Sequence, residues 1–186
     1  MNKKCLLLGI WVIIIVSAFS GCTEEEQTAN GDENGQTDLD TIELSSSAFE
    51  NGDTIPIKYS CDGEDIIPPL TFGDSPENTT SFAIILDDPD APGGTFVHWL
   101  VWNIPSTVTG FSEGEDITYP QGINDFEEQE YGGPCPPVGS THRYYFRFYA
   151  LDTMLDLDAG ATRSQLENAM EGHVLAEGQL MVTYSS

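Results

Sequence analysis

Basic residues are the scarcest feature of this 186-residue chain: six Lys and Arg stand against 31 Asp and Glu, a formal net charge of -25. No basic surface is available to displace counterions from phosphates, which excludes a nucleic-acid binder. The same lack excludes docking on an anionic membrane through a basic face. Apolar runs are short. Leu6 to Phe19 covers 14 residues, against the roughly 20 that a membrane-spanning helix needs. No Gly-x-Ser-x-Gly elbow, His-Glu-x-x-His pair, phosphate-binding loop or dinucleotide fingerprint occurs, so none of these signatures points to an enzyme. Histidine and cysteine are few, three and four respectively, and there is no internal repeat. What the chain does hold is 18 Gly and 11 Pro, with 39% hydrophobic and 10% aromatic residues. That suffices for one packed domain and suits a turn-rich β architecture better than a helical bundle.

The first 21 residues read as targeting rather than fold. Asn2, Lys3 and Lys4 form a basic start, the apolar run follows, and Ser20-Gly21 precede Cys22. Small residues before a Cys at this point resemble the lipobox of secreted lipoproteins. The resemblance implies cleavage before Cys22, lipid on its thiol, and a domain held outside the cytoplasmic membrane. The mature chain would be 165 residues with a net charge of -27. Residues 22–41 carry seven acids, no base and one large apolar residue, Leu39; they are expected to be a solvated, self-repelling tether. The domain proper, 42–186, still holds 24 acids against 4 bases. Such an excess reads as adaptation to a salty setting, where screening removes self-repulsion, or as an acidic face for a cationic partner. With Cys5 in the signal and Cys22 lipidated, Cys61 and Cys135 remain as an even pair in an oxidising space. A disulfide and two buried thiols are both open.

Strand-like runs recur between turn signals at Thr54–Tyr59, Ser81–Leu86, His98–Ile104, Arg143–Leu151 and Gln179–Tyr184. One helix is expected, starting at Thr162 with capping potential, carrying Leu166, Ala169 and Met170 at helical spacing, and stopping at Gly172. A second helical turn is expected near Glu127–Glu130. The fold expected is mainly β: an antiparallel β-sandwich, Greek-key-like, with one or two short helices, one of them near the C-terminus.

Two loops stand apart. Asp87-Asp88-Pro89-Asp90-Ala91-Pro92-Gly93-Gly94 leads to His98, and Tyr131-Gly132-Gly133-Pro134-Cys135-Pro136-Pro137-Val138-Gly139 leads to His142. Proline leaves each loop few conformations, so little entropy is lost in holding a binding geometry. The pair reads as two walls of one pocket. Asp88 and Asp90 with His98 and His142 suit an oriented anion pocket, a proton relay or a metal; as plain turn formers, Asp-Pro pairs need no function. Asp87 reads as a turn residue, and His173 as a structural group at a helix end.

The segments DDPDAPGGTFVHWLVWNIP and YGGPCPPVGSTHRYYFRFYAL resemble the two signature regions of the phosphatidylethanolamine-binding protein family. CDGEDIIPPLTF and GHVLAEGQLMVTY resemble its bacterial and archaeal branch, the Raf kinase inhibitor-like proteins. The likeness covers about residues 42–186. It implies a β-sandwich with a small anion-accepting pocket at one edge. By motif position, Asp88, Asp90 and Pro92 fall on the acidic loop of that pocket and His98 is its first histidine. Gly133, Cys135, Pro136 and His142 fall on its second wall, and Tyr144 is the pocket tyrosine. The extra C-terminal helix of animal members has no counterpart here, which leaves one rim open or covered by a second subunit of a homodimer. The expectation is a lipid-anchored, non-enzymatic binding module for a small anionic ligand such as a phosphate or phospholipid head group, without metal, cofactor or catalytic residue. The alternatives are an inhibitor of an extracellular protease or other hydrolase, docking through the Pro-rich rim, and a hydrolase using the Asp/His set.

Overall fold

Period-2 alternation decides which face each long strand buries. In β7, Thr141–Leu151, the even positions His142, Tyr144, Phe146, Phe148 and Ala150 are buried while Arg143, Tyr145, Arg147 and Tyr149 are more exposed. In β4, Ser81–Asp88, both faces are buried: Phe82, Ile84 and Leu86 belong to one apolar core, Ala83 and Ile85 to a second. A strand covered on both sides reads as an unbroken apolar run, which SFAIIL is.

The computed structural model describes residues 39–186. The signal segment, Cys22 and most of the expected tether lie outside the described residues. Asp40–Thr41, placed in the tether by composition, instead form β1 and pair with β8 (Val174–Ser185). The described residues fall in one compact unit.

Among the described residues there are two sheets and one α-helix. The larger sheet runs β1-β8-β7-β4-β5, with β5 at Phe96–Pro105; the smaller joins β2 (Leu44–Ser45), β3 (Leu70–Phe72) and β6 (Gly110–Phe111) in the order β2-β3-β6. All pairings are antiparallel except β1 with β8, which is parallel. Residues of both sheets share the first core; Phe72 and Phe148 lie 4.6 Å apart between ring centroids. The second core lies on the other face of the large sheet, under the helix α1 (Arg163–Met170), which buries Leu166 and Met170. Thr162 caps this helix reciprocally with Gln165, and Gly172 follows it at φ +80°.

Two expected elements differ. Thr54–Tyr59 is not a strand: Thr54 makes one bridge to Thr183, Pro56 lacks a ladder N–H, and Ile57–Tyr59 turns as a 3-10 helix. Glu127–Glu130 is not helical; Glu127 sits at φ +67° in a loop organised by the Asn124 side chain. No described helix is long and apolar enough to cross a membrane.

Candidate functional site

The register of β4 against β5 is interrupted where the site begins. Leu86 pairs with Trp99, but Asp87 pairs with Val97. His98 is the extra residue of this bulge. Bulges re-aim side chains: Trp99 packs in the core between the sheets and Val97 in the core under the helix, while the His98 ring lines a cavity at the strand end. The His98 carbonyl, freed from the β4 ladder, accepts from Gly132 N (3.1 Å) and Asn124 Nδ2 (3.3 Å). In β7, alternation alone puts His142 on the buried face with Tyr144.

These strand ends and the two Pro-rich loops enclose a cavity of about 210 Å³. Its polar lining is Asp88, His98 and His142; its apolar walls are Ala91, Pro92, Phe96, Phe126, Cys135 and Pro137. Asp88 is 3% exposed and each of its oxygens is held by the protein: Oδ1 accepts from Asp90 N (2.8 Å), and Oδ2 lies 2.7 Å from His142 Nδ1. A carboxylate at that distance fixes a proton on Nδ1, so His142 turns Nε2 toward the cavity. His98 is oriented in the same way by a different acceptor. Its Nδ1 lies 3.0 Å from both Gly132 O and Gly133 O. Burial pushes the His98 imidazole below its usual range, opposed by the two carbonyls and by the charges of Asp88 and Asp65. Its Nδ1–H is spent on the backbone, and in the neutral ring Nε2 is an acceptor.

The remaining sequence-named residues hold supporting positions. Asp90 does not line the cavity; it receives Arg143 through Nε (2.9 Å), Nη2 (2.7 Å) and the backbone N (3.0 Å). These Arg143 bonds hold its carboxyl down at about 2. Gly133 contributes backbone: its N–H donates to Asp65 Oδ1 (2.7 Å), and a Cβ there would stand 2.3 Å from Tyr59 O. Pro136 is buried beside the lining. Tyr144 is fully buried beneath the two imidazoles, edge-on to His98 and parallel to His142, and its hydroxyl has no hydrogen-bond partner. Burial, then the Asp88 charge, push that hydroxyl well above the usual phenol range. Cys135 is joined to Cys61 with Cα atoms 5.4 Å apart, which removes it as a thiol nucleophile. Asp87, read as a turn residue, is a buried ion-pair centre, and His173 pairs with Asp152 on the exposed surface.

Ala91, Phe96, Phe126 and Pro137 line the cavity without having been singled out. Ala91 and Pro137 lie inside the two loops already marked. Phe126 comes from a distant loop held by Asn124, whose Oδ1 accepts from Phe126 N and Glu128 N and whose Nδ2 reaches Glu130 O; no local pattern announces it. A larger cavity, about 480 Å³, lies elsewhere against Asp65, Glu115, Asp116, Glu128 and Glu130 and has no basic side chain, so it is a poor anion site. Among the described residues no three His, Cys, Asp or Glu are grouped to hold a metal ion.

The sequence profile of the phosphatidylethanolamine-binding proteins matches residues 45–185. The chain belongs to this family. A UPF0098 protein of Pyrococcus horikoshii is 51% identical over 148 residues, 75% of this chain and 74% of that one. A UPF0098 protein of Archaeoglobus fulgidus is 43% identical over 184 residues, 96% of this chain but 59% of the relative's length. Two solved structures share the fold. A phosphatidylethanolamine-binding protein homologue of Chlamydia trachomatis matches with a TM-score of 0.76 at 43% identity, over 79% of this chain and 99% of its own. Escherichia coli YbcL matches with a TM-score of 0.72 at 30% identity, over 78% and 98%. The family match thus runs from the end of β2 to the end of β8, including both loops that enclose the cavity.

Proposed function

We propose that this family member is a non-enzymatic binding module for a small anionic ligand, phosphate-like or a phospholipid head group. It is held outside the cytoplasmic membrane by lipid on Cys22. One observation carries the ligand reading: two buried imidazoles turn Nε2 atoms without protein partners into a small cavity with apolar walls. Asp88 holds the His142 ring by direct contact at Nδ1, which leaves Nε2 to meet an oxyanion. The family's name, for a phosphate-bearing lipid, supports the same ligand class. The acidic surface opposes anion capture at long range, so binding depends on short hydrogen bonds in a shielded cleft and tolerates salt. The apolar core shared by the two sheets supports a β-sandwich with Greek-key-like connections as the frame.

The test is titration calorimetry with phosphate and phosphoethanolamine. His98→Ala or His142→Ala each costs about 1–3 kcal/mol of binding, and His173→Ala, on the exposed surface, changes nothing. Equal affinity in all four proteins places the ligand elsewhere. For the anchor, intact mass of membrane-extracted protein shows loss of residues 1–21 and lipid on Cys22; an unmodified Met1 terminus refutes it.

A second reading is favoured by Val138, 94% exposed at the tip of the Pro-rich loop. An apolar tip on a stiff, disulfide-tied loop suits docking into an extracellular hydrolase, a protease above all. Inhibition by the purified protein that is lost in Val138→Asp supports this reading, and inhibition that survives the change removes it.

A further inference from the structure

Asp65 lies outside the cavity, on the exposed loop after Cys61, and takes no part in the site by its own contacts with a ligand. Three features tie it to His98 nevertheless. Its backbone is held at φ +56°, a left-handed conformation that only Gly, Asn and Asp adopt at low cost. Its Oδ1 accepts from Gly133 N at 2.7 Å. The same loop is fastened to the Pro-rich segment by the bond from Cys61 N to Pro134 O (3.2 Å) and by the Cys61–Cys135 disulfide. The N–H so held shares its peptide with Gly132 O, which faces His98 Nδ1 together with Gly133 O of the next peptide.

Two carbonyls cannot donate, so His98 Nδ1 carries the proton and Nε2 presents a lone pair to the cavity. The charged and titratable groups around this ring are Asp88 at the end of β4, His142 and Tyr144 on β7, and Asp65 through Gly133. None of them donates to His98 Nε2. An oxyanion that carries no proton therefore sets an oxygen against a lone pair. An oxyanion that carries a hydroxyl can donate to His98 Nε2 and present a second oxygen to His142, which donates from Nε2 in its doubly protonated form.

We infer that the cavity selects an oxyanion bearing its own acidic hydroxyl, such as a hydrogen phosphate, over one fully stripped of protons, and that Asp65 is the positioning residue that enforces this by fixing the His98 tautomer. The inference rests on the anion-binding reading above. With the Asp65 contact removed, the Gly132–Gly133 peptide can turn and set Gly133 N–H in place of Gly132 O beside Nδ1; Gly133 O, whose peptide to Pro134 has no N–H, is then the one acceptor left there, and the Nε2–H tautomer becomes accessible. The cavity then loses its acceptor and its discrimination.

The experiment compares inorganic phosphate with sulfate, which stays unprotonated through the neutral range, by calorimetry on the full chain at equal ionic strength. Long-range proton–nitrogen spectra of His98 are recorded on the same samples. Wild type is expected to prefer phosphate by about tenfold or more, the effect of one charge-assisted hydrogen bond, and to show the Nδ1–H tautomer. Asp65→Ala is expected to bring the two anions within about twofold and to populate Nε2–H. Asp65→Asn, whose side-chain oxygen can still accept from Gly133 and which tolerates the left-handed backbone, is expected to restore both properties. Phosphate and sulfate binding equally to wild type would overturn selection while leaving anion binding intact. Preference and tautomer unchanged in Asp65→Ala would overturn the role of Asp65. Failure of wild type to bind either anion would overturn the anion reading itself. The wild-type comparison and Asp65→Asn keep the test decisive even where the alanine variant does not fold.

Discussion

Replacing Asp87 by Asn is the sharpest stability test the structure offers. Asp87 is 0% exposed, one residue before Asp88 but on the opposite face of β4. Its carboxylate accepts from Arg147 Nε (2.7 Å) and Nη2 (3.2 Å) on β7, and from Arg163 Nη1 (2.8 Å) in the first turn of α1. One buried anion thus pins the helix to the sheet. The amide of Asn keeps the shape but removes the charge and turns an N–H₂ toward a guanidinium. Removing one partner from a buried ion pair costs on the order of 3–5 kcal/mol. Arg147 and Arg163 keep 31% and 25% of their side-chain surface in water, so partial rehydration places the loss at the low end, about 3 kcal/mol. For a domain of this size that is a fall in Tm of roughly 6–12 °C. Urea unfolding followed by tryptophan fluorescence measures it: Trp99 and Trp102 are fully buried, and the midpoint should drop without a change in slope. The loss should persist at about 1 M salt, because a buried contact is screened little. A change below about 1 kcal/mol, or one abolished by salt, would refute the reasoning.

The Asp90 carboxyl should titrate near 2 by carbon NMR and return toward 4 in Arg143→Ala; its lowered value stabilises the fold above the unfolded value of 3.8, and that contribution fades as pH falls through about 2. His98, pushed down by burial, stays neutral while an unfolded chain would take up a proton, so stability should decline as pH drops below about 6.5, and less so in His98→Gln. Cys61→Ser with Cys135→Ser opens a link between residues 74 apart and should cost on the order of 2–4 kcal/mol in urea unfolding, with wild type matching it only under reductant. Gly133→Ala has no room beside Tyr59 O and Asp65 and should cost about 1–3 kcal/mol and weaken phosphate binding; unchanged binding would detach that backbone from the site.

The elements legible in the sequence were those with strong local signals. Ser81–Asp88, Phe96–Pro105 and Thr141–Leu151 are long runs of apolar and aromatic residues, and Thr162 with Gln165 announces the one helix. The small sheet was not legible, because two- and three-residue strands such as Leu44–Ser45 and Leu70–Phe72 carry no periodicity and exist through pairing with distant partners. Thr54–Tyr59 misled because β-branched composition outweighed Pro56. At the site, the Pro-stiffened loops and their histidines were visible as motifs. Invisible were the bulge that re-aims His98, since register is a property of two strands, and the bonding of Asp65 and Asn124, which act across gaps of 68 and 26 residues. Asp87 and Asp88 look alike in sequence; strand alternation sends one to the helix and the other to the cavity.

The most direct test of the ligand site is to watch the three imidazoles while phosphate is added to the full chain. Nitrogen-15 spectra separate His98, His142 and His173, and the Nε2 signals report what each ring faces. The cavity reading predicts that His98 and His142 Nε2 shift together, along one saturable curve that matches the calorimetric affinity. His173, paired with Asp152 on the exposed surface, should stay still. Saturable binding with His98 and His142 unmoved would place the anion elsewhere and contradict the account.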